Sequence, residues 1–403
     1  MGKIARGISK LVSYKKETTW GTPAGAVGGK LLRRVTADFN LTKESYTSNE
    51  ITPSMQTIDM RHGVRSAEGS LSAELSPGTY SDFMGSVLAR DFTAGGSTTG
   101  AEVTIATSGS FFTVTRTAGS YLADGFYVGN LVRLAGVGLN AANAGNNLLV
   151  VAMSALVMTV QVLSSTTLVP EGPISAVDVA VVGKQTYVPL SGHTDDSYSV
   201  EQFYSDIAQS ELYTGLKVGS FSVDLPATGL VTASLAFTGK NLEQTGTTQY
   251  FTTPAATNTE GIFAAVSGSL IVNGVPSALV TSMSINIERA LEAANVVGSN
   301  FAADVFTGKI NVTGNMSVYF SDATFRDYFD DEAKVSLIMA LTTGEDKDSE
   351  AIVFTMGKVK INTGSAQDAE LGILRSMDFQ ALQNDVTTGG LVASTIMVQD
   401  TVA

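Results

Sequence analysis

His62 and His193 are the only imidazoles in this 403-residue chain, and it has no cysteine. Disulfides, thiolate metal sites and cysteine nucleophiles are therefore excluded, and a multi-histidine metal site lacks ligands. The carboxylates gather in two runs. Glu345, Asp346, Asp348 and Glu350 have the chemistry to hold Ca2+ in a loop, but the EF-hand glycine and spacing are missing, so a solvated loop is expected. Asp330, Asp331 and Glu332 fall at the end of an expected helix, where the backbone dipole disfavours negative charge, and are read as an exposed or inter-subunit face. Gly183-Lys184, Gly239-Lys240 and Gly308-Lys309 each lack the earlier glycine of a phosphate-binding loop, and no GxSxG, HExxH or GxGxxG occurs. The residues predict no catalysis, no cofactor and no metal.

Charge is the stronger signal. The net charge is −13, which argues against a general nucleic-acid binder. Residues 1–34 carry Lys3, Arg6, Lys10, Lys15, Lys16, Lys30, Arg33 and Arg34 against Glu17 alone, a formal +7 that leaves −20 for the rest. Such a segment is either a basic arm that grips another copy of the acidic body or a solvated tail. Trp20, in ETTWGTPAG, either anchors into a neighbour or packs on its own domain. The longest apolar stretch, from Leu148 to Val160, is interrupted at Ser154 and Thr159, too short for a membrane span, and reads as a hairpin about Ser154-Ala155. The start MGKIARGISKLVSYKK lacks a secretion signal's apolar core, and Arg6 stands where a myristoylation signal needs Ser or Thr. Synthesis in the cytoplasm without export is expected.

Chemistry of this kind needs a scaffold, and the scaffold reads as mainly β. Apolar residues make up 44% and charged residues 16%, with 40 glycines, a balance that folds and favours short strands with tight turns. Period-two alternation marks strands at 35–41, 71–75, 221–225, 231–237 and 310–320. Two helices stand out. In 76–89, Ser76 is the expected N-cap, Pro77 the first helical residue, and Tyr80, Phe83, Met84, Val87 and Leu88 the apolar stripe; 321–333 repeats the pattern with Ser321, Phe325, Tyr328 and Phe329.

Those two neighbourhoods superimpose at a shift of 245 residues without a gap from 63 to 84. Gly63 meets Gly308, Gly69 meets Gly314, Ser76 meets Ser321, and Phe83 meets Tyr328. Upstream, 35–41 matches 281–287 in type with the apolar phase off by one, which requires a bulge or small gap. A duplicated domain is expected: a basic N-terminal arm at 1–34, a first domain at 35–92 and 191–245, an inserted small β domain at 93–190, a linker at 246–261, and a second domain at 262–403. The long polar segments 42–62 and 288–307 are expected to make contacts.

The phrases ETTWGTPAG, DMRHGVRSAEGSLSAELSPGTYSDFMGSVL, YVGNLVRLAG…NAANAGNNLLVVA and SYSVEQFYSDIAQSELYTGLKVGSFSVDLPATGLVTASLAFTGK resemble the major tail tube proteins of long, non-contractile-tailed bacteriophages (siphophages). The similarity covers roughly 15–245 and reaches the rest through the duplication. It implies tandem tube-type β-sandwich or barrel domains, each with a flanking helix, whose inner sheets join between neighbours around a lumen. It further implies a structural virion protein, not an enzyme, made in the host cytoplasm and assembled in the virion tail. Three duplicated chains would form a pseudo-sixfold ring, rings would stack through long loops, and DNA would pass through the lumen at ejection without specific binding. Tape measure, distal tail and tail terminator proteins are the implied partners. Lys3, Arg6, Lys10, Lys15, Lys16, Trp20, Tyr46, Met55 and Arg61 are the expected assembly residues. The competing expectations are a non-viral surface-layer or adhesin β-protein, disfavoured by the missing signal peptide, and a carbohydrate-processing β-protein, disfavoured by the single Trp and scattered acids.

Overall fold

The computed structural model describes residues 4–277, 279–321, 324–367, 372–384 and 388–403. In chain order the first half forms β1 (Lys10–Lys16), β2 (Lys30–Leu31), β3 (Thr36–Thr47), β4 (Met60–Glu74) and α1 (Ser81–Val87). The chain then leaves through β5 (Thr93–Ala94), β6 (Ser97–Ser108), β7 (Phe111–Arg116), β8 (Leu131–Gly136), β9 (Leu148–Met153), β10 (Val157–Val162), β11 (Glu171–Val181) and β12 (Lys184–Tyr187). It returns as β13 (Tyr198–Tyr204), β14 (Gln209–Leu225), β15 (Thr232–Gly239) and β16 (Asn241–Gly246). The second half forms β17 (Gly268–Val272), β18 (Val275–Pro276), β19 (Val280–Ala293), β20 (Val305–Tyr319), α2 (Thr324–Asp330), β21 (Val335–Thr342), β22 (Ala351–Gln367), β23 (Leu374–Ala381) and β24 (Met397–Asp400).

One antiparallel pairing scheme occurs twice. The order β13-β14-β15-β4-β3 in the first half is matched by β21-β22-β23-β20-β19 in the second. β1 and β2 lie beside β13 as β17 and β18 lie beside β21, and β16 flanks β14 as β24 flanks β22. In each half the 17-residue central strand starts in an outer sheet and ends in an inner one. The crossing is marked by a bulge, between Val218 and Ser220 in β14 and between Ile361 and Thr363 in β22, where the extra residue bends the strand. The strand-phase offset has a specific origin. β3–β4 and β19–β20 carry bulges at matching positions, Lys43/Ser45 and Arg289/Leu291, and the loop 48–59 is one residue longer than 294–304.

The core lies between the inner and outer sheets, and α1 closes one side of it. Phe83 of α1 stacks on Tyr14 and Tyr198 of the outer sheet, at centroid distances of 4.6 and 5.1 Å, and on Phe237 of the inner sheet at 5.4 Å. Ser76 is not the helix cap. Its hydroxyl pairs with Thr79, Gly78 turns the chain at φ +69°, and the helix starts five residues later than Ser76. Asp400 of β24 holds that start, accepting from the Gly78 N–H and the Ser81 hydroxyl, both at 2.8 Å; burial pushes its carboxyl above the ordinary range. The expected helix at 321–333 is Thr324–Asp330 in the structure; residues 322 and 323 of that expectation lie outside the described residues.

The excursion forms a closed six-stranded barrel, ordered β10-β7-β6-β11-β8-β9. Its apolar core runs on into Ile271, Ile338, Ala340, Ala351 and Val353 of the second half, so the barrel is inserted in one half and packed on the other. A buried amide pair rivets it there. Gln399 accepts from the Leu131 N–H at 2.7 Å and donates to the Leu131 and Val182 carbonyls, and Asn130 donates to Gln185. β5 and β12 lie outside the barrel, with β12 paired to β24.

Two boundaries differ from the sequence reading. The described part of the expected arm at 1–34, residues 4–34, is not separate: all seven residues of β1 pair with β13, and Val12 and Tyr14 are buried in the core. The segment 246–261 is not a loose linker. The N–H groups of Tyr250 and Phe251 donate to the buried carboxylate of Glu201, and Phe251 is fully buried. In both places an opposing polar or apolar surface, distant in sequence, converts a polar-looking stretch into sheet or core.

Candidate assembly interface

The inner sheets of the two halves meet edge to edge. β14 pairs with β19 from Ser220↔Glu288 to Leu225↔Met283. The product is one eight-stranded sheet, β3-β4-β15-β14-β19-β20-β23-β22. Among the described residues its two outer edges lack a further strand: β3 pairs with β4 alone, and Thr363–Gln367 of β22 with β23 alone. Open edges of this length are templates for another chain. Two β3 carbonyls are held by side chains of its own half, Ala37 by Lys10 and Phe39 by Gln202.

One face of this sheet is core. The other carries Ser, Thr and Asn with the carboxylates Asp38, Glu68, Glu74, Asp224, Glu288 and Asp378. The basic residues Lys43, Lys217, Lys309 and Lys360 lie toward the end of the sheet near the loops 48–59 and 294–304.

Charge and packing seal the internal junction. Lys217, buried in β14, donates to Asp195 at 2.7 Å, to Asp304 at 3.2 Å and to the Val305 carbonyl at 2.6 Å. Arg289, buried in β19, donates to the carbonyls of Thr194 and of Ser86 in the last turn of α1, where a cation is favoured. The loop 294–304 folds over the first half. The Arg65 N–H donates to the Asn300 carbonyl at 3.0 Å, and the Arg65 guanidinium lies 3.8 Å from the Phe301 ring centre.

The expected assembly residues fall into two groups. Lys3 lies outside the described residues. Arg6 donates its N–H to Asp206, and Lys15 donates to the carbonyls of Gly25 and Val27. Burial draws the Lys10 ammonium below its ordinary value. Burial also opposes the charge on Lys16, but its bonds to Asp196 and Asp91 outweigh that and raise it. Trp20 packs on its own chain, donating to the Gly215 carbonyl at 3.1 Å beneath Lys217 and Lys240. Apart from Arg6, which is tied through its backbone and is exposed, these side chains are engaged within the subunit. Tyr46, Met55 and Arg61 lie on the projecting, exposed β3–β4 hairpin, where Tyr46 donates to Glu44 and Arg61 pairs with Asp59, with Ile51, Ile58 and Met60 also exposed there. The sequence reading missed Lys217, Asp304 and Arg289. The available signal was a basic residue at matching positions of both halves, Lys217 with Lys360 and Arg289 with Lys43.

The acidic run 345–350 is a docking loop: its backbone carbonyls at Glu345, Lys347 and Asp348 accept from Ser165, Asn147 and Arg133 of the barrel. Among the described residues no three His, Cys, Asp or Glu side chains are grouped to hold a metal, and no helix is long and apolar enough to cross a membrane. No curated protein matches the chain. The family model described as phage tail tube protein matches residues 7–381, from the turn just before β1 to the end of β23. A β-rich body with open inner-sheet edges and a match over nearly its whole length together place the chain in the phage tail tube protein family, as a structural component of the virion tail.

Proposed function

We propose that the two halves are tandem copies of a tube domain and that chains join head to tail, the free edge of β22 taking β3 of the next chain. The single observation that carries this is the β14–β19 junction, in which the chain already joins one copy to the other. Carried over by the matched registers, Ser222↔Asn286 within the chain becomes Ser365↔Asn40 between chains. Eight inner strands per chain give 24 for three chains. At about 4.8 Å spacing and about 40° tilt that is a barrel of roughly 24 Å backbone radius, with a bore on the order of 40 Å for a duplex about 20 Å wide. The carboxylate face lines this bore and repels phosphate, so the genome slides through during ejection. Rings stack into a siphophage-type tube capped and filled by terminator, distal tail and tape measure proteins.

Cysteine pairs test the closure. Directly opposed residues of antiparallel strands have Cα atoms about 4.5–5.5 Å apart, within disulfide range. Ser222→Cys with Asn286→Cys should cross-link inside every chain. Ser365→Cys with Asn40→Cys should cross-link only in assembled protein and give a denatured ladder that stops at three chains. A ladder ending at six, or no inter-chain product from assembled tubes, would overturn the trimer.

The barrel should lie outside the ring. Its ends are adjacent, the Val181 N–H donating to the Gly96 carbonyl at 2.9 Å, so residues 97–181 can be replaced by a short turn that spares β5 and β12. The excised chain is expected to bind a hydrophobic dye through uncovered Ile271, Ile338 and Val353 and still to form tubes in micrographs. A folded excised chain that never assembles would assign the barrel to the ring contacts.

A further inference from the structure

The internal junction is sealed by more than backbone pairing, and each of its parts has a counterpart at the chain's free ends. Lys217 and Lys360 sit at matching positions just before the matched bulges of β14 and β22, opposite Thr238 and Gln380. Asp304 and Asp59 are the residues immediately before β20 and β4, and each turns the same way: Asp304 accepts from the Val305 N–H at 2.7 Å and Asp59 from the Met60 N–H at 2.8 Å. Lys217 is 3% exposed and bound to Asp304, whereas Lys360 is 35% exposed and paired with Glu332 at 2.9 Å, and Asp59 is 60% exposed and paired with Arg61 at 3.3 Å, so both have solvent-exposed local partners to exchange. Arg289 is buried against the last turn of α1, whereas its counterpart Lys43 is exposed, and so is the end of α2 with Asp330, Asp331 and Glu332. The loop 294–304 covers Arg65, whereas Ile310, which matches Arg65, borders an open groove of about 660 Å3 lined also by Lys309, Asn311 and Gln380. The matching loop 48–59 projects with Ile51 and Met55 almost wholly exposed.

We propose that Lys360 of one chain binds Asp59 of the next chain, whose hairpin loop 48–59 lies across β20 in the groove beside Ile310. The occupant is a second copy of this chain, and the inference rests on the head-to-tail reading above. Charge complementarity supports it on both sides of the contact: Lys43 and Asp59 arrive from the β3–β4 hairpin, and the acidic end of α2 and Lys360 receive them. Apolar side chains of the loop, Met55 among them, enter the groove, as Phe301 covers Arg65 inside the chain. The seal is directional, because the first half supplies the loop and the second half supplies the groove, and a head-to-tail contact closes into a ring where its rotation divides a full turn.

A charge swap tests the pair. Lys360→Glu and Asp59→Lys are each expected to slow assembly, followed by light scattering and micrographs, at least about tenfold, since each places like charges in a desolvated contact. The double variant restores the pair at every junction and is expected to assemble within about threefold of the original chain. Single variants that assemble at the original rate, or a double variant no faster than the singles, would overturn the proposal. If Lys360→Glu does not fold, Asp59→Asn, in an exposed loop, decides alone: unchanged assembly refutes the pair. Ser365→Cys with Asn40→Cys separates this failure from that of the head-to-tail reading. Cross-linked chains without rescue by the double swap refute the ion pair and keep the sheet closure; no inter-chain cross-link in the otherwise unaltered chain refutes the closure itself.

Discussion

Deleting residues 2–16 is expected to unfold the first half of the molecule, not merely to slow its assembly. β1 pairs along its whole length with β13, and its removal uncovers β13 and takes Val12 and Tyr14 out of the core. Burial of each such side chain contributes about 1.5–3 kcal/mol, and Tyr14 also donates to Asp82 at 3.0 Å while stacking on Phe83. The two together contribute about 3–6 kcal/mol before the lost strand pairing is counted, a large fraction of the roughly 5–15 kcal/mol stability of a typical domain. Deleting residues 2–9 removes, among the described residues 4–9, only exposed or half-buried groups and should leave thermal unfolding nearly unchanged. Circular dichroism melts of the two truncations check this. A cooperative transition at the original midpoint for the longer deletion would mean that β1 is dispensable and the basic segment only an assembly device.

The second large effect is expected at the paired glycines. Gly69 lies opposite both Phe39 and Phe237, and Gly314 opposite Phe379. A Cβ at Gly69 would overlap the Phe39 ring, and one at Gly314 would overlap both the Phe379 ring and the Ser284 carbonyl. Rings of this size lie flat across an inner strand only where the strand has no side chain. Gly314→Val must therefore displace backbone as well as a ring, and should cost upwards of about 3 kcal/mol, beyond the usual overpacking penalty. Gly69→Val meets a side chain alone and should cost less. Urea titrations of the two variants give the order; equal and small shifts in midpoint would show that both rings can move aside.

Strands, the helix stripes and the matched halves were legible because each is written in local periodicity. Leu71 and Phe83 face the core for the same reason that they alternate or recur in the sequence, and Gly69 with Gly314 marked equivalent strands before any pairing was known. The inserted β segment was legible as a break between matched elements. The absence of enzyme motifs was plain from residue types alone.

What the tertiary structure decided is where those elements meet. The junction of β14 with β19 is made by backbone groups, which are the same at every residue, so no pattern of side chains announces which edge receives which strand. The barrel's seat on Ile271, Ile338 and Val353 was hidden because an apolar residue facing a second domain is written like one facing its own core. The basic segment looked free because a lysine's partner is a matter of distance in space. Lys16 is held by Asp91 and Asp196, and Lys30 by Asp82, acids 52 to 180 positions away that only the folded chain brings within an ion pair's reach.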